Sequence, residues 1–474
     1  EISYADAPAR RLRVSKKPSV AESGGRSLSV NESDPKYLVA VIGAGPAGLY
    51  ASRVLVAAGA HVVLFNRDVK AGGLAEYGIF HNKLKMKGGL RKQFASILED
   101  PHVEYYGNVS VGEEGDISLQ DLLDLGFQAI LVTVGAQGTK WLGLPGEELE
   151  RVYHAKDVVY HYNHLPPFSQ QDFPMGDNVV IIGIGNVMCD IAHWVIRDLG
   201  CNEVCAVVRR GPGEAKFTNK EWQIFAKNLD VDDFEEEWQR CKPKMEAVGQ
   251  DLESAKAVFL GGVEKGLDPV SDSRFTYRFF ASPKGLVGDG KGNCAGLEVE
   301  ETYLEDDDGY MKCVGTGNTS VIDCDSVVFC IGDKVDETFG LPTEWSEFSK
   351  HPEPRYPVND ISYEAYDPAG ERDLRQIFLA GWARKASDGL VGMARRDGTN
   401  GAEALLQYLG DVGEAESTDT QELKERLTAL DKAVVVNADI PKLFEAEAKI
   451  AEEKGVDEFK YDANEDMLAA IARQ

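Results

Sequence analysis

The segment Leu38-Val-Ala-Val-Ile-Gly-Ala-Gly-Pro-Ala-Gly-Leu-Tyr50 decides the fold of this chain. Its apolar start predicts a buried parallel strand, and the residues after it predict a turn into a helix. Three glycines, Gly43, Gly45 and Gly48, give the turn the pattern G-x-G-x-x-G. The first permits the sharp bend, the second lets a pyrophosphate approach the backbone, and the third lets helix and strand pack closely. The unpaired N–H groups at the helix start then bind the phosphates.

A second apolar strand, residues 61–65, follows the helix at the spacing that a βαβ unit needs. A glycine pattern alone is weak evidence, but one framed by strand, helix and strand indicates a dinucleotide site. The unit is repeated later in the chain. There a strand over residues 178–182 leads into Gly183-Ile-Gly-Asn-Val-Met188, a helix and a further strand over 203–208. Two such sites in one chain are typical of flavoproteins that also bind a nicotinamide nucleotide.

The residue at the end of the second strand of each unit discriminates between nucleotides. In the second unit this place holds Arg209 and Arg210. Arginines there accommodate the 2′-phosphate of NADP, whereas a carboxylate would bond the ribose of NAD, so NADP is favoured. In the first unit the place holds Asn66, where an acidic residue is usual when FAD is bound. Asparagine can still hydrogen-bond a ribose hydroxyl. Met188 stands where a third glycine is usual, so its side chain has to be accommodated elsewhere or the helix has to move outwards.

Composition excludes several classes of protein. The chain has 474 residues and a net charge of −28, which argues against general nucleic-acid binding. No apolar run approaches the roughly 20 residues that a transmembrane helix needs. The eight cysteines include no C-x-x-C pair, so a dithiol reductase and a metal site are disfavoured. Residues 1–35 are interpreted as a flexible leader, or alternatively as an organelle presequence. We expect a cytoplasmic protein, with an organelle matrix as the alternative.

Several segments resemble the adrenodoxin reductase family of FAD-containing ferredoxin–NADP reductases, from about Tyr37 to at least Tyr408. The most specific is Arg209-Arg-Gly-Pro-Gly-Glu-Ala-Lys-Phe-Thr-Asn-Lys-Glu221. Gly185-Asn-Val-Met-Cys-Asp190 is similar to the family's G-N-V-A-x-D. Gly381-Trp382, followed by Gly389-Leu-Val391, resembles its flavin-contacting segment.

The resemblance implies two sets of cofactor-binding residues. Those expected to contact FAD are Gly43, Gly45, Pro46, Ala47, Gly48, Asn66, Leu74, Val111, Trp382, Gly389, Leu390 and Val391. Those expected to contact NADP are Gly183, Ile184, Gly185, Asn186, Val187, Arg209, Arg210, Glu221 and Gly389. Glu221 is the candidate polar partner of the nicotinamide, and Lys83 lies where the family commonly carries a histidine. These two are the candidate catalytic residues.

One section departs from the family. The loop from Gly72 to Leu84 resembles instead the small subunit of glutamate synthase, although the cysteine-rich iron–sulfur segment of that family is absent. A first alternative is therefore an NADPH-oxidising flavoprotein subunit of a larger complex of that type. A second alternative, from another class, is a non-catalytic flavin-binding assembly protein.

The expected partner is a ferredoxin-like iron–sulfur protein. Ferredoxins are generally acidic, so a docking surface should be basic. Basic side chains crowd residues 83–92, and others follow the expected flavin segment. The docking hypothesis comprises Lys83, Lys85, Lys87, Arg91, Lys92, Arg384, Lys385, Arg395 and Arg396. The other interpretation of the run is a solvated helix face.

We therefore predict an α/β protein with two Rossmann-like nucleotide-binding domains of three layers. The NADP domain, 136–337, is inserted into a FAD domain formed by 36–135 and 338–474, with a helical extension from about 411. The predicted function is electron transfer between NADP(H) and a ferredoxin, by hydride transfer to flavin followed by single-electron steps.

Overall fold

The computed structural model describes residues 34–387 and 389–473, so the expectation of a leader over residues 1–35 falls almost wholly outside the described residues. Within the described residues the chain forms two separate, mainly parallel sheets. The strands in chain order are β1 (Tyr37–Ile42), β2 (Ala60–Asn66), β3 (Val103–Gly107), β4 (Ala129–Val132), β5 (Val152–His154), β6 (Asn178–Ile182), β7 (Glu203–Val208), β8 (Arg274–Phe279), β9 (Ala281–Gly288), β10 (Cys294–Asp307), β11 (Tyr310–Asp323), β12 (Ser326–Phe329), β13 (Thr343–Glu344), β14 (Glu347–Phe348), β15 (Glu364–Asp367), β16 (Arg372–Leu379) and β17 (Val435–Val436).

The helices alternate with these strands over most of the chain. They are α1 (Pro46–Ala57), α2 (Leu74–Tyr77), α3 (Leu84–Leu98), α4 (Leu119–Asp124), α5 (Ala155–Tyr162), α6 (Asn186–His193), α7 (Asn219–Trp222), α8 (Val231–Ala247), α9 (Leu252–Lys265), α10 (Val391–Val412), α11 (Gln421–Thr428), α12 (Asp439–Lys454) and α13 (Asn464–Ala472).

The first sheet has the order β15-β16-β4-β1-β2-β3-β17, with antiparallel pairs only at its two edges. Its strands are apolar on both faces, and each face has its own core. Residues from α1, α3 and α10 pack on one face, and residues near 117–127 and 335–348 pack on the other. Burial on both faces explains why β1 reads as a continuous apolar run instead of an alternating one.

The second sheet, β5-β12-β6-β7-β8, is parallel throughout. Helices α5, α6, α8 and α9 cover one face, and the antiparallel sheet β11-β10-β9 contributes to the core on the other. This layered arrangement, with helices on one side and a small sheet on the other, confirms the predicted fold class of two Rossmann-like halves.

Strand membership follows the chain in three blocks. Strands of the first sheet come from residues 37–132 and 364–436, and those of the second come from residues 152–329. We therefore propose the domain division stated above, with 36–135 and 338–474 around the first sheet and 136–337 around the second. The strand blocks support this division, because neither sheet contains a strand from the part of the chain that forms the other.

One loop of the first block packs into the core of the second. Phe80 is fully buried among residues of α5 and α6, and its ring stacks on His193 with centroids 3.9 Å apart. The helix that carries His193 continues as a π-helical turn, Trp194–Asp198, where a plain α-helix was predicted. Trp194 to Ile196 are buried, as are Ile191 to His193 before them, so the core surrounds the helix at this point.

The segment after α10 forms α11, α12, α13 and the short strand β17. β17 pairs antiparallel with β3, so it covers an otherwise open edge of the first sheet. Leu443 and Met467 are buried in the core beside α1 and α3. The extension is thus part of the first domain's packing. Among the described residues, no helix is both long enough and apolar enough to cross a bilayer.

Lys87 on α3 is buried, with 1% of the residue exposed, and its Nζ donates to Asn163 Oδ1 at 2.8 Å. Burial, together with the nearby charge of Lys460, lowers the pKa of this amine to about 7. The folded protein therefore releases this proton near pH 7, whereas the unfolded chain holds it to about pH 10. Between these values the unfolded state binds more protons, so its formation becomes less favourable as pH rises.

We predict that Lys87→Met removes a rise in unfolding free energy between pH 7 and pH 9. For this group the rise amounts to up to about 1.4 kcal/mol per pH unit. Urea unfolding at several pH values measures it, and Lys92→Met, at an exposed lysine of the same helix, is the control. Equal pH slopes in wild type and Lys87→Met would contradict the prediction.

Candidate functional site

The first glycine turn lies at the carboxyl edge of the first sheet, where β1 leads into α1. A Cβ placed on Gly48 would lie 2.0 Å from the Gly43 carbonyl oxygen, so only glycine permits this approach of helix and strand. Gly43 has a φ of +104°, and a Cβ there would meet the Thr133 carbonyl oxygen at 2.7 Å. A Cβ on Gly45 would meet no described atom within 4 Å. The start of α1 therefore faces open space with its N–H groups uncapped by a side chain.

Two later segments approach the same helix. A Cβ on Gly381 would lie 2.7 Å from Ala47 Cβ, and one on Gly398 of α10 would lie 2.2 Å from the Ala47 carbonyl oxygen. The predicted flavin segment after β16 and the helix after it thus lie directly against α1. Residues far apart in sequence meet here because the carboxyl ends of parallel strands share one edge.

Asn66, at the end of β2, is held by hydrogen bonds within the protein. Its Oδ1 accepts from the Ala44 N–H at 3.1 Å, and its Nδ2 donates to the carbonyls of Asp68 and Lys70 at 2.8 and 2.9 Å. A carboxylate at this position would face those carbonyls without a proton to donate. The geometry explains the departure from an acidic residue. It leaves only Oδ1 to accept a further hydrogen bond.

Residues 70–79, here called the flavin loop, lie against the glycine turn. The Gly72 N–H donates to the Ala44 carbonyl at 2.7 Å, and a Cβ on Gly73 would lie 3.0 Å from Gly45 Cα. Leu74, the first residue of α2, is half-buried beside the turn. Val111 is also half-buried and pairs with Ile117 in an isolated bridge.

The segment with Trp382 is fixed through a carboxylate. Asp397 of α10 accepts from the Gly381 N–H at 2.6 Å and from Arg384 Nη2 at 2.5 Å. Trp382 is half-buried. Gly389 has a φ of +73° and, like Leu390, is exposed, and Val391 begins α10. Leu390 is 64% exposed.

The second glycine turn repeats the geometry of the first. Gly183 has a φ of +139°, and a Cβ there would lie 2.5 Å from the Cys330 carbonyl oxygen. A Cβ on Gly185 would meet no atom of the described chain within 4 Å, so the start of α6 is also open. Asn186 Oδ1 accepts from the Thr218 N–H at 2.8 Å, which ties the turn to the segment before α7. Met188 is fully buried in the core, so its side chain is accommodated there.

The two arginines after β7 differ in their surroundings. Arg210 Nη1 donates to Glu214 at 2.6 Å and its guanidinium lies 6.0 Å from the Tyr310 ring centroid. The Arg209 side chain is exposed and forms no ion pair within the described part of the chain. Its backbone is fixed because its carbonyl accepts from the Thr302 hydroxyl at 2.6 Å. Arg209 is therefore the arginine with its guanidinium available to a ligand.

The two candidate catalytic residues form an ion pair with each other. Lys83 Nζ lies 2.6 Å from Glu221 Oε2 and 3.6 Å from Asp190 Oδ1, although the three residues come from different elements. Lys83 precedes α3 and follows the buried Phe80 anchor, while Glu221 precedes the fully buried Trp222 of α7. The buried neighbours fix both side chains at the junction of the two sheets.

Asp190 of α6 completes this group. Burial raises the pKa of its carboxyl to about 7, with Glu221 adding to the rise and Lys83 opposing it. Its Oδ1 is buried and accepts no hydrogen bond from the described residues. The carboxyl therefore exchanges its proton near neutrality. Sequence reasoning placed Asp190 inside a family motif without giving it a role, because spacing alone does not show which residues face it.

The predicted docking residues divide into two groups. Lys87 and Arg384 are buried, so including them in a docking surface was wrong. Lys83 pairs with Glu221, and Arg91 pairs with Glu76 and Glu458 at 2.5 and 2.8 Å. The exposed members are Lys85, Lys92, Lys385, Arg395 and Arg396. A basic run in sequence does not show which cations fold inwards to carboxylates from distant segments.

Comparison with known proteins agrees with this geometry. Residues 37–229 match the family model of pyridine nucleotide-disulphide oxidoreductases. The chain is 28% identical over 404 residues to the mitochondrial NADPH:adrenodoxin oxidoreductase of Arabidopsis thaliana, covering 77% of this chain and 80% of that protein. It is 27% identical over 412 residues to the NADPH-ferredoxin reductase FprA of Mycobacterium tuberculosis, covering 80% of this chain and 85% of the relative.

Solved structures show the same fold. Two structures of FprA from Mycobacterium tuberculosis, the second in complex with NADPH, have TM-scores of 0.76 and 0.74 to this chain at 24% identity. Both alignments cover 92% of this chain and 99% of the matched chain. The comparisons therefore confirm the resemblance of this chain to the adrenodoxin reductase type of ferredoxin–NADP reductase, and the fold is that of a two-domain pyridine nucleotide oxidoreductase.

Proposed function

We propose that this protein is an FAD-dependent oxidoreductase that transfers electrons between NADP(H) and a ferredoxin-type iron–sulfur protein. The observation that carries the proposal is the pair of uncapped, glycine-framed helix starts, α1 and α6, on two sheets joined by the Lys83–Glu221 ion pair. The relatives named above are reductases of adrenodoxin and ferredoxin. Bound FAD would supply the chemistry, because it accepts a hydride from NADPH and releases electrons singly.

The residues of the first site fit FAD. The open space before Gly45 and the free N–H groups of α1 suit a pyrophosphate. Asn66 Oδ1 can accept from a ribose hydroxyl, and Leu74, Val111, Trp382 and the segment from Gly389 to Val391 would contact the ring system. These assignments rest on the family resemblance, and the contacts of Asn66 with Ala44, of Gly73 with Gly45 and of Gly381 with Ala47 support them for the segments around those residues.

The residues of the second site fit NADP(H). Gly183 to Val187 would hold the pyrophosphate, and Arg209, with Arg210 beside it, would bind the 2′-phosphate. Glu221 would receive the nicotinamide end near Gly389. In the chain itself, Lys83 neutralises Glu221, and Asp190 takes up or releases a proton beside them.

We predict that NADPH, but not NADH at equal concentration, bleaches the yellow holoprotein in an anaerobic titration. Arg209→Ala should weaken NADPH affinity about tenfold or more, because a charged hydrogen-bonded pair contributes about 1.5–3 kcal/mol. Lys291→Ala, at an exposed lysine of the β9–β10 turn, is the control. A colourless protein that does not retain added FAD would refute the function, and so would a flavin that NADPH leaves oxidised. Bleaching would exclude the non-catalytic assembly protein.

We predict that NADP⁺ affinity rises between pH 6 and pH 8 because Asp190 ionises. Its ionisation takes the Lys83–Glu221–Asp190 group from neutral to −1, which favours the cationic nicotinamide ring. Asp190→Asn should lose this part of the pH dependence, a few-fold change in Kd for one nearby charge. Difference spectroscopy measures Kd, and Asp232→Asn, at an exposed acid of α8, controls for general charge. Superimposable profiles for wild type and Asp190→Asn would contradict it.

For the partner, we propose a docking surface formed by the exposed members of the predicted set, which are Lys85, Lys92, Lys385, Arg395 and Arg396. Tyr50 connects three helices there, because its hydroxyl donates to Gln93 of α3 at 2.7 Å and Arg395 lies 4.9 Å from its ring centroid. Arg53 lies 5.1 Å from the same ring. In a chain of net charge −28, this local concentration of cations would steer an acidic partner to the flavin side.

We predict that Lys85→Glu combined with Arg395→Glu slows ferredoxin reduction about tenfold or more at low ionic strength, because steering depends on charge. NADPH–ferricyanide turnover should be unchanged, since that acceptor needs no protein docking. Lys449→Glu combined with Lys291→Glu, at exposed lysines of α12 and of the β9–β10 turn, is the matched double reversal. Equal losses in both assays would show that the variant damages the flavin site and would overturn the docking surface.

We also propose a cytoplasmic location. All eight cysteines are free, as expected where thiols are kept reduced, and an organelle matrix is the alternative location.

A further inference from the structure

We propose that the C-terminal extension is a positioning element of the FAD site, and that Lys460 and Glu447 hold the flavin loop on the first glycine turn. The inference rests on the proposed function, because it assigns part of FAD affinity to a segment remote in sequence. The C-terminal strap is defined as α12 together with the chain that follows it to Tyr461.

The strap forms ion pairs with the flavin loop near both ends of the loop. Lys70, near the start of the loop, donates from Nζ to both carboxylate oxygens of Glu447 at 2.5 and 2.6 Å. Glu76, near its end, pairs with Lys460 at 2.9 Å, and the same Nζ donates to the Glu76 carbonyl at 2.9 Å. Lys70, Glu76, Glu447 and Lys460 are only 1, 2, 4 and 4% exposed. These are buried ion pairs, which solvent and salt screen much less than surface pairs.

The two ion pairs, Lys70–Glu447 and Lys460–Glu76, are connected to each other. The Tyr461 N–H donates to Glu447 Oε1 at 3.2 Å, so the residue after Lys460 binds the carboxylate that receives Lys70. Lys460 Nζ also lies 5.2 Å from the Tyr77 ring centroid. Arg91 of α3 forms a two-nitrogen contact with Glu76 at 2.7 and 2.5 Å. The carboxylate of Glu76 is thereby shared between α3 and the strap.

The part of the loop that contacts the glycine turn lies between the two ion-paired residues, Lys70 and Glu76. Gly72 donates to the Ala44 carbonyl, and Gly73 passes close to Gly45, as described above. Loss of either ion pair would free the loop to move away from the space in front of α1. The strap therefore acts on FAD through the loop and not by direct contact.

The strap also contacts the end of α5, a helix that packs on the second sheet. Lys460 Nζ donates to the Asn163 carbonyl at 3.4 Å, and Asn163 Oδ1 accepts from the buried Lys87. One side chain thus links the extension, the flavin loop and the end of α5. Removing one partner from such a buried pair leaves an uncompensated charge, which is the costly case for a buried salt bridge.

The test compares Lys460→Met with Lys449→Met, at an exposed lysine of α12 that takes part in none of these contacts. FAD is titrated into each apoprotein and its Kd is read from flavin fluorescence. We expect Lys460→Met to bind FAD about tenfold or more weakly, the equivalent of about 1.4 kcal/mol, and Lys449→Met to match wild type. Hydrogen exchange of the flavin-loop amides in the apoproteins is the second readout.

In Lys460→Met the Gly72 and Tyr77 amides should exchange at least about tenfold faster, while amides of β1 and β2 keep their protection. Glu447→Gln should give the same local pattern from the other end of the loop, which serves if Lys460→Met does not fold. Wild-type FAD affinity with unchanged loop exchange in the variants would overturn the proposal. Failure of wild type to bind FAD would refute the proposed function instead, and the exchange data on apoprotein would still decide the role of the strap.

Discussion

The close contact between the start of α1 and the end of β1 is the constraint on which the rest of the structure depends. Gly48 faces the Gly43 carbonyl at a distance that excludes any side chain. This contact aims the free N–H groups of α1 at the carboxyl edge of the sheet. Gly381, Gly398 and Gly73 then converge on the same helix start. A larger residue at Gly48 would move α1 outwards and separate all three from it.

The cations of this acidic chain serve two different ends. Lys70, Arg91 and Lys460 are buried or partly buried and hold the flavin loop, α3 and the extension together. The buried Lys87 joins α3 to Asn163 at the end of α5. Lys85 and Lys92 lie on the exposed face of the same helix α3. Helical periodicity explains the division, because residues that are seven apart share a face while Lys87 points inwards. The basic run of α3 therefore contributes Arg91 to internal ion pairs, while Lys85 and Lys92 place positive charge on the surface.

Much of the fold could be predicted from sequence because its signals are local. The strand–glycine–helix units at 38–50 and 178–188 carry their own periodicity and turn chemistry, and both were found. The π-helical turn at Trp194–Asp198 and the pairing of β17 with β3 were not, since each depends on packing against distant residues. The pairing of Lys83 with Glu221 joins positions 138 apart, and only the resemblance suggested that both belong to one site. Lys460 gave no signal at all, because an isolated lysine in a polar tail looks like any solvated residue.

The lysine at position 83 changes what the junction between the sheets can do. An ammonium is a compact charge on a flexible stem, so Lys83 can reach Glu221 across the junction while Phe80 anchors its backbone. The charge that compensates Glu221 is thus an ammonium of the protein itself. The group with a pKa near neutrality is Asp190, whose burial disfavours its charge. Proton exchange near neutral pH at this junction therefore belongs to a carboxyl of α6.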